Sequence, residues 1–93
     1  MSSRNNVSPR QKHRVLLVDD HAIVREGFSE LLNGHTELQV CGEAESAPAA
    51  MQAVERLKPD HVVVDLSLQG GSGLDLIKNL KVLHPLLPIL VLS

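Results

Sequence analysis

The chain has 93 residues, with 9 Lys and Arg against 11 Asp and Glu for a formal charge of −2, 43% hydrophobic residues, and Phe28 as its single Phe, Trp or Tyr. That length holds one small domain and leaves no room for a second. One cysteine, Cys41, excludes an internal disulfide framework, and His13, His21, His35, His61 and His84 are too widely spaced for a compact zinc motif, so the chain suits a reducing cytosol.

Residues 1–14 hold four bases (Arg4, Arg10, Lys12, Arg14) and no acid, which leaves 5 bases against 11 acids from Val15 onward. The first segment is polar, carries Pro9 and no aromatic, and is expected to be a disordered basic leader rather than a nucleic-acid arm. It has no hydrophobic stretch to act as a signal peptide, and no apolar run anywhere reaches the roughly 18 residues of a spanning helix. A soluble cytoplasmic protein with no membrane partner is expected.

Val15-Leu-Leu-Val18 is a short apolar run that stops at Asp19-Asp20, the pattern of a strand buried on both faces. From Ile23 the apolar positions Val24, Phe28, Leu31 and Leu32 recur at helical spacing, with Arg25, Glu26, Ser29 and Glu30 on the other side and Asn33-Gly34 as the stop. Leu38 to Cys41 alternates weakly and suits an edge strand. A second helix is predicted from an N-cap at Ser46, with Pro48 in its first turn, through Ala50, Met51, Val54 and Leu57 to Lys58-Pro59. His61-Val-Val-Val-Asp65 repeats the strand pattern. A third helix opens at Ser72, with Asp75 at capping-box spacing, carries Leu76, Ile77, Leu80 and Leu83 on one stripe, and ends at His84-Pro85. Pro88 to Ser93 reads as a fourth strand. Alternating strands and helices imply a parallel sheet with right-handed crossovers and helices on both faces.

In an open parallel sheet, ligands gather beyond the carboxyl ends of the strands, where this chain places Asp19, Asp20, Asp65 and Ser93. If the first and third strands are neighbours, three carboxylates converge, and their repulsion calls for a cation. Oxygen ligands with waters retained suit magnesium (Mg2+), and no thiolate or imidazole cluster argues for a softer metal. An aspartate beside such an ion can act as a nucleophile toward phosphorus and form an acyl phosphate, with the Ser93 hydroxyl placed to hydrogen-bond a phosphoryl oxygen. The plainer alternatives are that Asp19 or Asp20 only caps the first helix and that Ser93 is a frayed end. For Asp65 that alternative is weaker, because the third helix begins seven residues later and has its own cap in Ser72.

The strings Val15-Leu-Leu-Val-Asp-Asp-His-Ala-Ile-Val-Arg-Glu-Gly-Phe28 and Val62-Val-Val-Asp65-Leu-Ser-Leu-Gln-Gly-Gly-Ser-Gly-Leu-Asp75 resemble the receiver domain of bacterial two-component response regulators, in the subgroup whose receivers precede a helix-turn-helix DNA-binding domain. The resemblance covers residues 15–93. It implies a flavodoxin-like, doubly wound parallel sheet in the order 2-1-3-4. It makes Asp65 the phosphoacceptor, puts Asp20, Asp65 and the backbone carbonyl of Ser67 on magnesium with Asp19 acting through water, and gives Ser93 the role of switch hydroxyl. It also implies a sensor histidine kinase as phosphodonor, DNA contact only through a domain outside this chain, and a self-phosphorylating acceptor able to lose its phosphate rather than a turnover enzyme. Where many members have Met-Pro, this chain has Leu68-Gln69, expected to alter loop stiffness more than chemistry. Family members continue into a fifth strand bearing a phosphate-binding Lys and two further helices, which residues 1–93 do not include. The fourth strand is therefore expected to be an apolar edge that favours homodimers or exchange of elements.

Other readings fit less well. A haloacid-dehalogenase-type phosphatase needs a second Asp where Ser67 stands. A cobalamin motif needs Gly at Val24, which leaves His21 as a solvated residue at the rim. A dinucleotide fingerprint fails at Leu76. The alternative of a different class is a receiver-like interaction module that never carries phosphate.

Overall fold

The structure, a computed structural model, describes residues 12–69 and 72–92. The expectations for residues 1–11, Gly70, Gly71 and Ser93 lie outside the described residues. The elements in chain order are β1 (His13–Val18), α1 (Ala22–Asn33), β2 (Leu38–Ala44), α2 (Ala47–Leu57), β3 (His61–Asp65), α3 (Ser72–Leu83) and β4 (Ile89–Leu92). All strands pair in parallel, in the order β2-β1-β3-β4. β1 thus lies inside the sheet beside β3, as the resemblance implied.

β1 begins at His13, two residues before its apolar run, because His13 and Arg14 pair with Leu38 and Gln39 of β2. Arg14, counted above with the leader, is folded in: its amide donates to Asp60 Oδ2 at 2.7 Å and its guanidinium to the Lys58 carbonyl at 3.0 Å. β2 also runs further than its weak alternation suggested. The pairing passes from Val15 with Val40 to Leu16 with Gly42, so Cys41 is an extra residue in a bulge. The bulge resets which side chains face inward and blurs the period-2 signal.

The sheet separates two apolar layers. Leu16, Val18, Val62 and Val64 point one way, into Ala50, Ala53 and Val54 of α2 and Leu76 and Leu80 of α3. Val15, Leu17 and Val63 point the other way, toward Phe28 and Leu32 of α1. Two helices seal the first layer. Among the described residues α1 alone covers the second, and none of its residues is fully buried.

Local chemistry fixes the helix ends. Ser46 Oγ accepts from the Ala49 amide at 3.2 Å, the expected cap of α2, and that helix ends at Lys58 in the left-handed region (φ 49°) just before Pro59. At α3 the expectation needs correcting. Ser72 is the first helical residue rather than the cap, and its hydroxyl donates to the Gln69 carbonyl at 2.9 Å, closing the preceding loop. Asp75 remains in the first turn, where the helix dipole favours an acid.

Gly73 sets how closely α3 approaches β3. A Cβ there would lie 2.8 Å from the Asp65 carbonyl oxygen and 3.0 Å from Leu66 Cα, backbone atoms that cannot rotate away. At Gly42 the clash is with the tip of Leu57, which can move. Gly73→Ala should therefore lower stability by about 1–3 kcal/mol despite the better helix propensity of Ala, and Gly42→Ala by less. Urea denaturation of the two variants checks the order; equal effects would contradict this account of the α3 approach.

Candidate functional site

Strands buried on both faces must change character where they leave the core, and the first polar residue then stands at the strand end. β1 and β3 are register neighbours, with Val18 beside Val64, so their ends deliver Asp19, Asp20 and Asp65 to one place. One ligand atom from each of Asp19, Asp20, His21 and Asp65 lies within 4.8 Å of the others. Asp19 is buried; Asp20 and Asp65 are half-buried.

Each carboxylate is held differently. The Asp19 amide extends the ladder by donating to the Ala44 carbonyl at 3.0 Å, and Asp19 Oδ1 accepts from the His21 amide at 2.8 Å. This is a local turn contact rather than a helix cap: the N-cap position of α1 is His21, with no side-chain cap bond. Asp20 Oδ2 accepts from the Gln69 amide at 3.3 Å, whereas Asp20 Oδ1 is shielded from solvent with no hydrogen-bond partner among the described residues. Asp65 accepts from the Ser67 amide at 2.9 Å and from the Ser67 hydroxyl at 2.8 Å to each oxygen. The Ser67 amide bond is the largest influence holding the Asp65 carboxyl below its ordinary value; desolvation opposes it, and the Ser67 hydroxyl bond adds to the lowering.

Three elements missed in the sequence complete the site. His21 is exposed, as a rim residue would be, yet its Nδ1 lies 3.0 Å from Asp19 Oδ1, 3.0 Å from Asp20 Oδ1 and 3.8 Å from Asp65 Oδ2. Its bond to Asp19, followed by the charge of Asp20, raises the His21 pKa above the ordinary histidine value. Zinc-like spacing is a relation among histidines, whereas His21 stands beside two acids. Arg25, assigned to the polar side of α1, donates to the Asp19 carbonyl at 2.6 Å and to Glu43 of β2 at 3.1 Å, and Ser29 supports Glu43 at 2.9 Å. Its spacing of six residues from Asp19 carried no signal without the turn between them. The third is Gln69, whose amide reaches Asp20, a contact that a proline at this position could not make. The Leu68-Gln69 departure thus enters the site chemistry, while Leu68 itself is 3% exposed and packs in the core.

The carboxylates offer hard oxygen donors, and the orphaned Asp20 Oδ1 faces the same cluster. Both fit a small divalent cation.

The response regulator receiver domain family matches residues 15–93, and the chain belongs to that family. Among curated proteins it is 42% identical over 80 residues to the DNA-binding transcriptional activator DevR/DosR of Mycobacterium tuberculosis, covering 86% of this chain and 37% of that protein. It is 38% identical over 81 residues to the transcriptional regulatory protein YdfI of Bacillus subtilis, covering 87% of this chain and 38% of that one. Among solved structures, a LuxR-family two-component response regulator from Aurantimonas sp. SI85-9A1 superposes with a TM-score of 0.81 at 35% identity, covering 86% of this chain and 57% of that one. The chain therefore spans less than two fifths of these two curated relatives. No helix among the described residues is long and apolar enough to cross a membrane.

Arg25 ties α1, the Asp19 backbone and β2 together, with its side chain 17% exposed and that of Glu43 40% exposed. Arg25→Ala should cost about 1.5–3 kcal/mol through loss of the charged hydrogen bond to the Asp19 carbonyl. Glu43→Gln, which weakens only the more exposed pair, should cost less than about 1 kcal/mol. Chemical denaturation of both variants checks this; equal losses would place the weight on Glu43 instead.

Proposed function

We propose that this chain is the phosphoacceptor module of a phosphorelay. Asp65 takes a phosphoryl group from the phosphohistidine of a sensor histidine kinase in the cytoplasm, and the acylated state controls transcription through a DNA-binding domain outside these residues. The carrying observation is the convergence of Asp65 with Asp19 and Asp20 at the ends of two neighbouring strands. DevR/DosR, a DNA-binding transcriptional activator by name, supports the output part of the reading.

In this reading the Asp65 carboxylate attacks phosphorus, an O–P bond forms, and the P–N bond to the donor imidazole breaks, with the donor ring taking up a proton. The hydrogen bonds from the Ser67 amide and hydroxyl keep Asp65 anionic and aimed, while Arg25 and the Asp19 turn hold the acidic pair opposite it. Magnesium would be held by Asp20, Asp65 and the Ser67 carbonyl, with Asp19 acting through water. When bound it neutralises the attacking carboxylate and the incoming phosphoryl oxygens. The Ser93 hydroxyl hydrogen-bonds a phosphoryl oxygen.

Incubation with a small acyl phosphate and magnesium, followed by intact-mass measurement, tests the assignment. With the complete receiver restored in the full-length protein, the wild type should gain one phosphoryl group and Asp65→Asn none. Equal uptake by both would sink it.

An isolated polypeptide of residues 1–93 is expected to self-associate, because β4 is then an outer strand among the described residues with Leu90 61% and Val91 41% exposed. Light scattering should show a molar mass that rises with concentration. A constant monomer mass across the range would contradict it.

A further inference from the structure

The group of potential ligands at the acidic pocket contains a nitrogen beside its carboxylates. His21 Nδ1 stands 3.0 Å from an oxygen of Asp19, 3.0 Å from an oxygen of Asp20 and 3.8 Å from an oxygen of Asp65, so it faces all three carboxylates. This is no chance swing of a long side chain. His21 is the N-cap of α1, its amide is fixed by Asp19 Oδ1 at 2.8 Å, and its carbonyl accepts the first helical bond from Arg25 at 3.0 Å. With both backbone groups tied down, the short side chain leaves the main chain at the mouth of the acidic pocket. Asp20 Oδ1, against which the ring nitrogen rests, has no properly directed hydrogen bond among the described residues and is free to face an ion.

We propose that His21 is a metal-selectivity residue, adding an imidazole nitrogen to the carboxylate oxygens so that the pocket favours first-row divalent ions from manganese to nickel over magnesium more strongly than carboxylates alone would. The inference rests on the metal-site reading above. Its chemistry is general. Magnesium is hard, strongly hydrated and served by oxygen, and gains little from an imidazole; manganese, cobalt and nickel accept imidazole readily, with affinity rising along that series. Three oxygen donors with one nitrogen form a mixed set of the kind that binds such ions. The exposed ring can turn its nitrogen onto an ion without moving the backbone, because the side chain is 59% accessible.

The first test is pulsed electron paramagnetic resonance on the wild-type chain carrying manganese(II) at mildly alkaline pH, where a directly bound imidazole couples its 14N nucleus to the ion. The coupling should be present in wild type and absent in His21→Ala and His21→Gln, both of which should still bind manganese. Calorimetric titrations with nickel and with magnesium then give the affinity ratio, which should fall by roughly tenfold or more in His21→Ala, since even outer-shell partners contribute that much to metal affinity. The His13 and His61 rings, 5.4 Å apart at the amino ends of β1 and β3, are present in both proteins, so any ion they hold cancels in the comparison. Bound manganese with no 14N coupling in wild type, or an unchanged ratio, would overturn the role of His21 while leaving the acidic metal site standing. Manganese affinity that is the same in wild type, Asp20→Ala and Asp65→Ala would put the ion elsewhere and overturn both.

Discussion

The parallel pairing of β1 with β3 constrains all that surrounds it. Val15 to Val18 pair with His61 to Val64, and both strands leave the sheet within a residue of each other in register. Their next side chains are acids, so the pairing that completes the apolar core also presses three carboxylates together. The sheet overrides their repulsion because Leu16, Val18, Val62 and Val64 are almost wholly removed from water, and each such side chain is worth about 1.5–3 kcal/mol. Charge strain in the pocket is imposed by packing some distance from it.

The surrounding residues limit that strain without removing it. Arg25 brings a positive charge to the Asp19 carbonyl, Ser67 gives Asp65 its donors, and the His21 ring sits among the oxygens. Gly73 lets α3 approach so closely that its backbone backs the Asp65 carbonyl. Supports on α1, β2 and the loop after β3 therefore meet at one pocket, and the geometry of the acids depends on several elements at once. Asp20 is the least satisfied of the three, since its Oδ1 has no well-directed hydrogen bond among the described residues and only the His21 ring nitrogen lies beside it, 3.0 Å away.

Much of this was legible in the sequence because burial on both faces writes a continuous apolar run, as in Val15 to Val18 and Val62 to Val64, and because a stripe such as Leu76, Ile77 and Leu80 has a helical period. The ends of β3 and α2 coincide with the expected Asp65 and Ser46. Strand order was not legible from pattern alone, since an apolar run does not name its neighbour; it came from the resemblance. β2 was underestimated because the bulge at Cys41 breaks its alternation. Ser72 kept the spacing of a capping box but uses its hydroxyl to close a loop. The contacts of His21, Arg25 and Gln69 could not be read from the sequence, because they depend on turns that bring residues 2, 6 and 49 positions apart together.

Three carboxylates pressed together by the pairing of β1 with β3 repel one another, and a divalent cation among them should relieve that repulsion. Thermal unfolding of the wild-type chain and Asp20→Ala across a magnesium series tests it most directly. Binding to the folded state alone stabilises by mass action, about 2.7 kcal/mol at a hundredfold excess over Kd. The wild-type Tm should climb steadily with magnesium, with a much smaller climb in Asp20→Ala. A wild-type Tm indifferent to magnesium, or an equal rise in the variant, would contradict it.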